Sequence, residues 1–389
     1  MSCKLCKSSN TKVIFDLREI PANQNKVYDT EDSAKNCKTS NIKLEGCNCC
    51  GFVFNADFNE DNIDYSGLYD NNQSLSPYFM DYVNSEVHWL IEHEYISDKD
   101  TVVEIGCGKG YYIKTLAEKL KDGIYYGFDT SYDGDLNFPD INLVYYLSYF
   151  SDKYSHIKPD ISICRHVIEH IENPIDFFMS IRKAIPENSL LFLETPDFDW
   201  IIENKTYYDI CHEHCSYWLT GTLDMALQSS GFDLVESLHG FEGQYLWVVA
   251  RAVKMPVSLA MPKGQAENLA VNNLNSKEAA AYKELLQKLK QYAQSNNIAV
   301  WGAGAKGCCF LNLTDTNRQF FSHVIDINPN KQNKFIGKTA HPIISPEQIR
   351  DNTIGAILIM NPNYEKEIQQ MLISLEYKGY IFSVTSNIL

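Results

Sequence analysis

The stretch Val102-Val103-Glu104-Ile105-Gly106-Cys107-Gly108-Lys109-Gly110 constrains this chain more than any other. Its apolar start reads as a buried strand, its alternating glycines as a tight turn, and the run from Tyr111 to Lys121 as a helix. A glycine turn lets the backbone approach a ligand closely, and a helix N-terminus attracts negative charge. A second strand, Ile124–Phe128, ends at Asp129, and strand and helix signals then alternate through Asp160–Cys164, Pro174–Ile185 and Ser189–Glu194. Tyr245–Arg251 is expected to close the sheet as a late strand. Upstream, Tyr78, Phe79, Tyr82, Val83, Val87, Leu90 and Ile91 recur at spacings of three and four, which predicts a helix over Ser76–His93. The alternation predicts a parallel α/β sheet.

The flanks differ from this centre. Residues 1 to about 60 are polar and Cys-bearing, with short strand-like pieces such as Lys12–Leu17, and are expected to bury little apolar surface and to need a staple. Pro256 and Pro262 punctuate a linker, and Ser276–Asn296, rich in Ala, Glu, Lys, Leu and Gln, reads as a helix. A second βαβ pattern starts at Ile298–Trp301 and continues at His323–Asp326 and Gly355–Met360. The economical division is a module at 1–75, a central domain at 76–252, a linker and helix at 253–296, and a C-terminal domain at 297–389.

Lys plus Arg total 34 against 50 for Asp plus Glu, a formal charge of −16, which is a poor match to a phosphate backbone and argues against a nucleic-acid partner. The 44% apolar content fits a chain with a packed core, and no run approaches the roughly 18 apolar residues of a membrane span. MSCKLCKSSN lacks the apolar stretch of a secretory signal, so a cytoplasmic location is expected. Monomer and homodimer both remain open.

In a reducing compartment, clustered cysteines are metal ligands before they are disulfides. Cys3-x-x-Cys6 and Cys47-x-x-Cys50 offer four thiolates at the spacing tetrahedral zinc takes, which closes the coordination shell and makes the role structural. Cys107, Cys164, Cys308 and Cys309 lie in or just after apolar runs and read as small core residues.

The G-x-G-x-G turn with Glu104 before it resembles motif I of class I S-adenosylmethionine (SAM) methyltransferases more than a dinucleotide fingerprint. That resemblance implies cofactor contacts from Glu104, Gly106, Gly108 and Gly110, with Asp129 holding the ribose hydroxyls. His166-Val167-Ile168-Glu169-His170 matches the H-x-x-E-H zinc peptidase pattern, or else forms a strand-to-helix junction lining a methyl-transfer site; its position directly after a strand favours the second. His166 is then expected beside the cofactor. Cys211-His212-Glu213-His214-Cys215 follows the strand end Glu194-Thr195-Pro196-Asp197, in the region where open α/β sheets gather their chemistry. Its histidines and glutamate read as metal ligands, as a base with its orienting partner, or as satisfied surface residues.

The whole chain resembles the SAM-dependent C-methyltransferases of nucleotide-linked keto-deoxysugars. Four blocks carry the resemblance in order: the CxxC…CxxC module, Tyr65–Pro77, the HVIEH and HEH motifs, and a C-terminal unit containing Trp301-Gly302-Ala303-Gly304-Ala305-Lys306-Gly307. It implies a class I methyltransferase Rossmann-like sheet with a small N-terminal zinc module and a second, C-terminal Rossmann-like α/β domain. It further implies that His214 removes the proton beside the sugar ketone, with Glu213, His170 and Tyr65 or Tyr69 in the same site. A base working on such a C–H needs donors that stabilise the enolate. The family commonly has Tyr where this chain has Cys211, and a thiol donates to an enolate oxygen less well than a phenol. Tyr207, Tyr208 and Tyr217 are the candidate replacements, and O- or N-methylation is the alternative outcome.

Gly302-x-Gly304-x-x-Gly307, with Asp326 ending the next strand, is by its own spacing a dinucleotide fingerprint, and an NAD-dependent oxidoreductase is the alternative it supports. A sugar-nucleotide binding protein without catalysis is a third possibility. The family resemblance instead implies that this unit holds the nucleotide end of the substrate, through Gly302, Gly304, Lys306, Asp326 and Asn361, with Lys331 or Lys338 suited to phosphates.

Overall fold

A computed structural model of the chain describes residues 2–64, 70, 72–254, 282–289, 297–350 and 353–384. Its centre is an eight-stranded sheet in the order Phe232–Gly240, Tyr245–Ala252, Leu190–Pro196, Ile161–Arg165, Thr101–Ile105, Ile124–Phe128, Leu143–Tyr146, Asn137–Phe138. The strands from Leu190–Pro196 to Leu143–Tyr146 run parallel. Tyr245–Ala252 runs antiparallel between Leu190–Pro196 and Phe232–Gly240, so it lies inside the sheet and the edge belongs to a strand that the apolar pattern does not reveal. Burial on both faces explains why the middle strands are nearly all apolar. Helix Pro77–Glu92 starts where Ser76 accepts the Phe79 N–H at 3.2 Å and Pro77 occupies the first turn. It buries Phe79, Val83, Glu86, Val87 and Leu90.

The C-terminal domain carries a second, fully parallel sheet, ordered Ile343–Ile344, Phe321–Ile325, Ile298–Trp301, Ala356–Ile359, Tyr380–Ser383. Of the expected helix Ser276–Asn296, residues 282–289 are helical and the rest lie outside the described residues.

The expectation that residues 1 to 60 bury little is overturned. Thr11–Pro21, Thr39–Cys47 and Val53–Asn55 form an antiparallel sheet that Ser216–Tyr217 completes. Phe15, Ile42, Leu44, Phe52 and Val53 are fully buried. The partner surfaces come from far along the chain. Phe52 packs on Trp218 with ring centroids 4.9 Å apart, and Ile14, Phe15 and Leu44 share one core with Tyr207, Tyr217, Phe310 and Phe321. Val27–Tyr28 pairs with Phe335–Ile336, so the module is tied to both other units. No helix of the described residues is long and apolar enough to cross a membrane.

Candidate active site

Between strand Thr101–Ile105 and helix Tyr111–Lys119, the chain turns through Gly106 at φ +72°, Gly108 at φ +53° and Gly110 at φ +76°. Gly106 is needed because a Cβ there would lie 2.3 Å from Val167 Cγ2, which is how the turn and the HVIEH segment pack together. Gly108 donates its N–H to Asp129 at 2.8 Å, and Asp129 is partly exposed at the end of the adjacent strand. Gly110 itself has no side chain to cap the helix, and among the described residues no atom lies within 4 Å of a Cβ built on Gly108. A carboxylate beside the Tyr111 and Tyr112 end of the helix and open space fits a ligand with vicinal hydroxyls. Glu104 instead lies in the core, where it accepts the Ile113 N–H at 3.1 Å and burial raises its carboxyl to about 8.

Next to the turn is a buried ionic network. Arg165 stands 2.6 Å from Glu194 and 3.0 Å from Glu86, with its guanidinium 4.3 Å from the centre of the Tyr112 ring. Glu194 also accepts from Trp247 at 2.7 Å and from the Tyr82 hydroxyl. His166, in left-handed backbone at φ +53°, stands 2.8 Å from Glu194 and 3.5 Å from Glu169. Burial opposes its charge, yet the two carboxylates raise His166 to about 9. Burial also works against Glu194 and Glu169, but Arg165 and His166 respectively lead the opposing contacts and hold each near 2. Burial pushes the Glu86 carboxyl well up, against the pull of Arg165. Arg165, Glu194 and Glu86 were not picked out as site residues. The signal was a charge toward the end of an apolar strand for the first two and a charge on the buried side of helix Pro77–Glu92 for Glu86, each of which must find a partner when buried.

Glu169 connects this network to the histidines. Its carboxylate accepts from Thr195 Oγ1 at 3.1 Å, and ligand atoms of Glu169, His170 and His214 lie within 4.8 Å of one another. His166 is left out of that group, and His170 sits on the 3-10 turn Ile168–His170, so the two-histidines-on-one-helix geometry of the peptidase pattern is not formed. His214 is held neutral: burial chiefly, then the neighbouring His170, lowers it to about 3. Glu213 is buried and turns the other way, its carboxylate accepting the Gln24 N–H at 2.6 Å. Cys211 is buried, and Tyr217 donates its hydroxyl proton to the Cys211 carbonyl at 3.0 Å. The buried Tyr208 hydroxyl has no hydrogen-bond partner among the described residues. Lys306, from the C-terminal domain, pairs with Asp209 in the same loop and adds to the lowering of His214. Tyr65 and Tyr69 lie outside the described residues.

The four N-terminal cysteines converge. Cys3 Sγ is 3.6 Å from Cys50 Sγ and Cys6 Sγ is 3.5 Å from Cys47 Sγ, with all four inside 4.8 Å and none in a disulfide. Four thiolates about a zinc ion stand roughly 3.8 Å apart, so the donor set fits a structural ion. Cys49 is exposed and bonds Ser8 instead. Cys107, Cys164, Cys308 and Cys309 are buried, as expected of core thiols.

At the second glycine turn, Gly307 is required by packing, since a Cβ would lie 1.9 Å from the Gly302 carbonyl oxygen. The turn's ligand-facing groups are committed within the chain. Ala303 donates to Asp326 at 2.7 Å, Ala305 donates to Asn25 Oδ1 at 3.0 Å, and Lys331 reaches the Ala303 carbonyl at 3.3 Å. Gly304 lies against Asn25, Lys338 bonds the Glu19 carbonyl, and Asn361 caps its own turn by accepting the Asn363 N–H.

Residues 80–237 match the family described as "Methyltransferase domain", and residues 264–385 match "C-methyltransferase C-terminal domain". C-methyltransferase NovU of Streptomyces niveus is 23% identical over 218 residues, covering 52% of this chain and 51% of that protein. A tRNA U34 carboxymethyltransferase of Campylobacter jejuni is 31% identical over 121 residues, covering 28% of this chain and 41% of that protein. The chain thus spans about half the length, or less, of these curated relatives. A SAM-dependent methyltransferase structure from Mesorhizobium loti overlaps 43% of this chain and 99% of its own, at 14% identity and a TM-score of 0.33. The chain therefore carries a methyltransferase domain of the class I α/β fold followed by the C-terminal domain of C-methyltransferases.

Proposed function

We propose that this protein is a SAM-dependent C-methyltransferase acting on a nucleotide-linked keto-deoxysugar, with His214 as the general base. The observation that carries the reading is the placement of His214: a ring nitrogen lies within 4.8 Å of the Glu169 carboxylate and of a His170 ring nitrogen, both residues on the segment whose Val167 packs on the Gly106 turn. A base must hold a free lone pair before reaction, and an adjacent carboxylate stabilises the imidazolium that forms. Asp129 and the glycine turn before helix Tyr111–Lys119 would hold the ribose and the amino-acid end of SAM, which when bound supplies an electrophilic methyl group. His166 and Arg165, tied to Glu194, fix the floor between that turn and His214.

With Cys211 in the loop, Tyr208 is the donor we assign to the enolate oxygen, because its hydroxyl proton is uncommitted among the described residues. The C-methyltransferase C-terminal domain favours carbon over oxygen or nitrogen as acceptor. Asn25 at the helix start counts against a dinucleotide at the second turn. The nucleotide-sugar class rests on the resemblance of the four sequence blocks. Zinc at Cys3, Cys6, Cys47 and Cys50 belongs to the same proposal as a structural ion.

The test is proton exchange. Incubated in deuterium oxide with keto-sugar nucleotides and no SAM, the wild type should wash deuterium into the carbon beside the ketone, and addition of SAM should yield a product heavier by one methyl. His214→Ala should abolish both while still binding SAM. Exchange at the wild-type rate in that variant removes His214 from the base role.

A further inference from the structure

Besides the cysteine cluster, one group of ligating side chains meets among the described residues: Glu169, His170 and His214. We propose that these three side chains form a binding site for a divalent transition-metal ion, Zn2+ or Co2+, and that the loaded site holds the enzyme inactive. The inhibitory half rests on the base role proposed above, since one imidazole lone pair cannot both hold a metal and take a proton. The binding half stands without it.

Two imidazoles and a carboxylate form a donor set of intermediate softness, which suits zinc, cobalt, nickel or ferrous iron and not magnesium or calcium. Metal bonds of about 2.0–2.2 Å place ligand atoms roughly 3–4 Å apart, so atoms already within 4.8 Å need only small side-chain rotations. The surroundings orient the ligands before any ion arrives. His170 Nδ1 lies 2.9 Å from the Glu213 carbonyl oxygen. A carbonyl only accepts, so Nδ1 is the donor there and Nε2 is the nitrogen that faces a metal, which is the arrangement metal-binding histidines use. Glu169 is steadied from behind by Thr195 Oγ1 at 3.1 Å and by His166 at 3.5 Å.

The two segments that carry the ligands are also pinned to each other. Cys215 donates its N–H to the Glu169 carbonyl at 2.8 Å, and Ser216 Oγ donates to the Ile168 carbonyl at 3.1 Å. The His170 and His214 rings stand 5.0 Å apart, nearly perpendicular, and both are partly exposed while Glu169 is buried. An ion can therefore enter from solvent, and three protein ligands leave it a position for water. This group differs from the sequence pattern H-x-x-E-H, because His214 replaces His166 as the second histidine.

The experiment counts metal on the full chain. Protein stripped of metal and reloaded with a measured excess of Zn2+, then passed through a desalting column, should retain two zinc ions per chain in the wild type. His170→Ala and, independently, His214→Ala should each retain one, at the cysteines. Co2+ should give intense thiolate bands from the cysteine site and separate weak visible bands that vanish in both variants. SAM-dependent turnover of the wild type should fall in proportion to occupancy of the second ion and recover when a weak chelator removes it. One zinc per chain in wild type and variants alike overturns the site. Two zinc ions with undiminished turnover overturns the inhibition and leaves the site. Two zinc ions in the wild type, one in His214→Ala, and full activity in that variant overturns the base role, and with it the stated cause of inhibition, but not the binding.

Discussion

The two glycine turns join the same kinds of element by different backbones: Gly106, Gly108 and Gly110 all have positive φ, whereas Gly304 at the second helix start is extended. Each leads from a buried parallel strand into a helix, and in each an aspartate at the end of the next strand accepts a turn N–H, at 2.8 Å for Asp129 and 2.7 Å for Asp326. At the first, the side chain that bonds a helix-start N–H is Glu104 of the preceding strand, and among the described residues nothing lies within 4 Å of a Cβ on Gly108. At the second, Asn25 bonds the helix start, Lys306 is paired with Asp209, and strand Val27–Tyr28 continues onto Phe335–Ile336. Spacing of glycines specifies a backbone path. Whether that path receives a ligand depends on what distant parts of the chain bring to the helix N-terminus, and here the second turn works as a joint between the N-terminal module and the C-terminal domain.

Breaking each turn should give different losses. The largest is expected for Gly307→Ala, whose Cβ would meet the Gly302 carbonyl oxygen at 1.9 Å; a shift of packed backbone should cost about 3 kcal/mol or more, read from denaturant unfolding. Gly108→Ala has room and carries only the left-handed backbone strain of about 1–2 kcal/mol. A Gly307→Ala protein as stable as Gly108→Ala would mean the second turn is not tightly packed.

Removing metal from the cysteines sharpens the joint. A metal bound there would be coupled to folding, but the module shares its sheet with Ser216–Tyr217. Hydrogen exchange after chelation should therefore rise at residues 211–217 as well as at 1–63, while the central strand Thr101–Ile105 stays protected. Loss confined to the first 63 residues would make the module independent.

Asn25→Ala is a smaller change. Loss of one helix-start acceptor should cost about 1 kcal/mol, and SAM affinity should not change.

A further effect is read through pH rather than at one condition. His166 is raised to about 9 from its ordinary 6.5, so its charge stabilises the fold fully below pH 6.5 and that contribution fades as pH rises toward 9. The stability difference between wild type and His166→Gln should shrink across that window. A constant difference would show that the imidazole is not charged.

Much of the central architecture was legible from the chain. Thr101–Ile105, Ile124–Phe128 and Ile298–Trp301 have the expected bounds, because strands buried on both faces are continuous apolar runs. Phe232–Gly240 was missed because an edge strand with exposed Asp233 and half-buried Glu236 alternates weakly. The N-terminal module was misjudged for a different reason: its apolar side chains are covered by Tyr217, Trp218 and Phe310, which no local pattern connects to it. The histidine and cysteine clusters were visible as motifs, but the network that supports them was not. Arg165, Glu194 and Glu86 lie far apart in sequence and are joined by burial alone, and Glu213 turned out to face Gln24.

The central claim is that the first turn, and not the second, receives the cofactor. Calorimetric titration of SAM into the wild type and the Asp129→Ala and Asp326→Ala variants tests it directly. One site per wild-type chain is expected, weakened roughly tenfold to a hundredfold by Asp129→Ala, as for loss of a hydrogen bond worth about 1.5–3 kcal/mol, and unchanged by Asp326→Ala. Undiminished affinity in Asp129→Ala together with loss of binding in Asp326→Ala would contradict it.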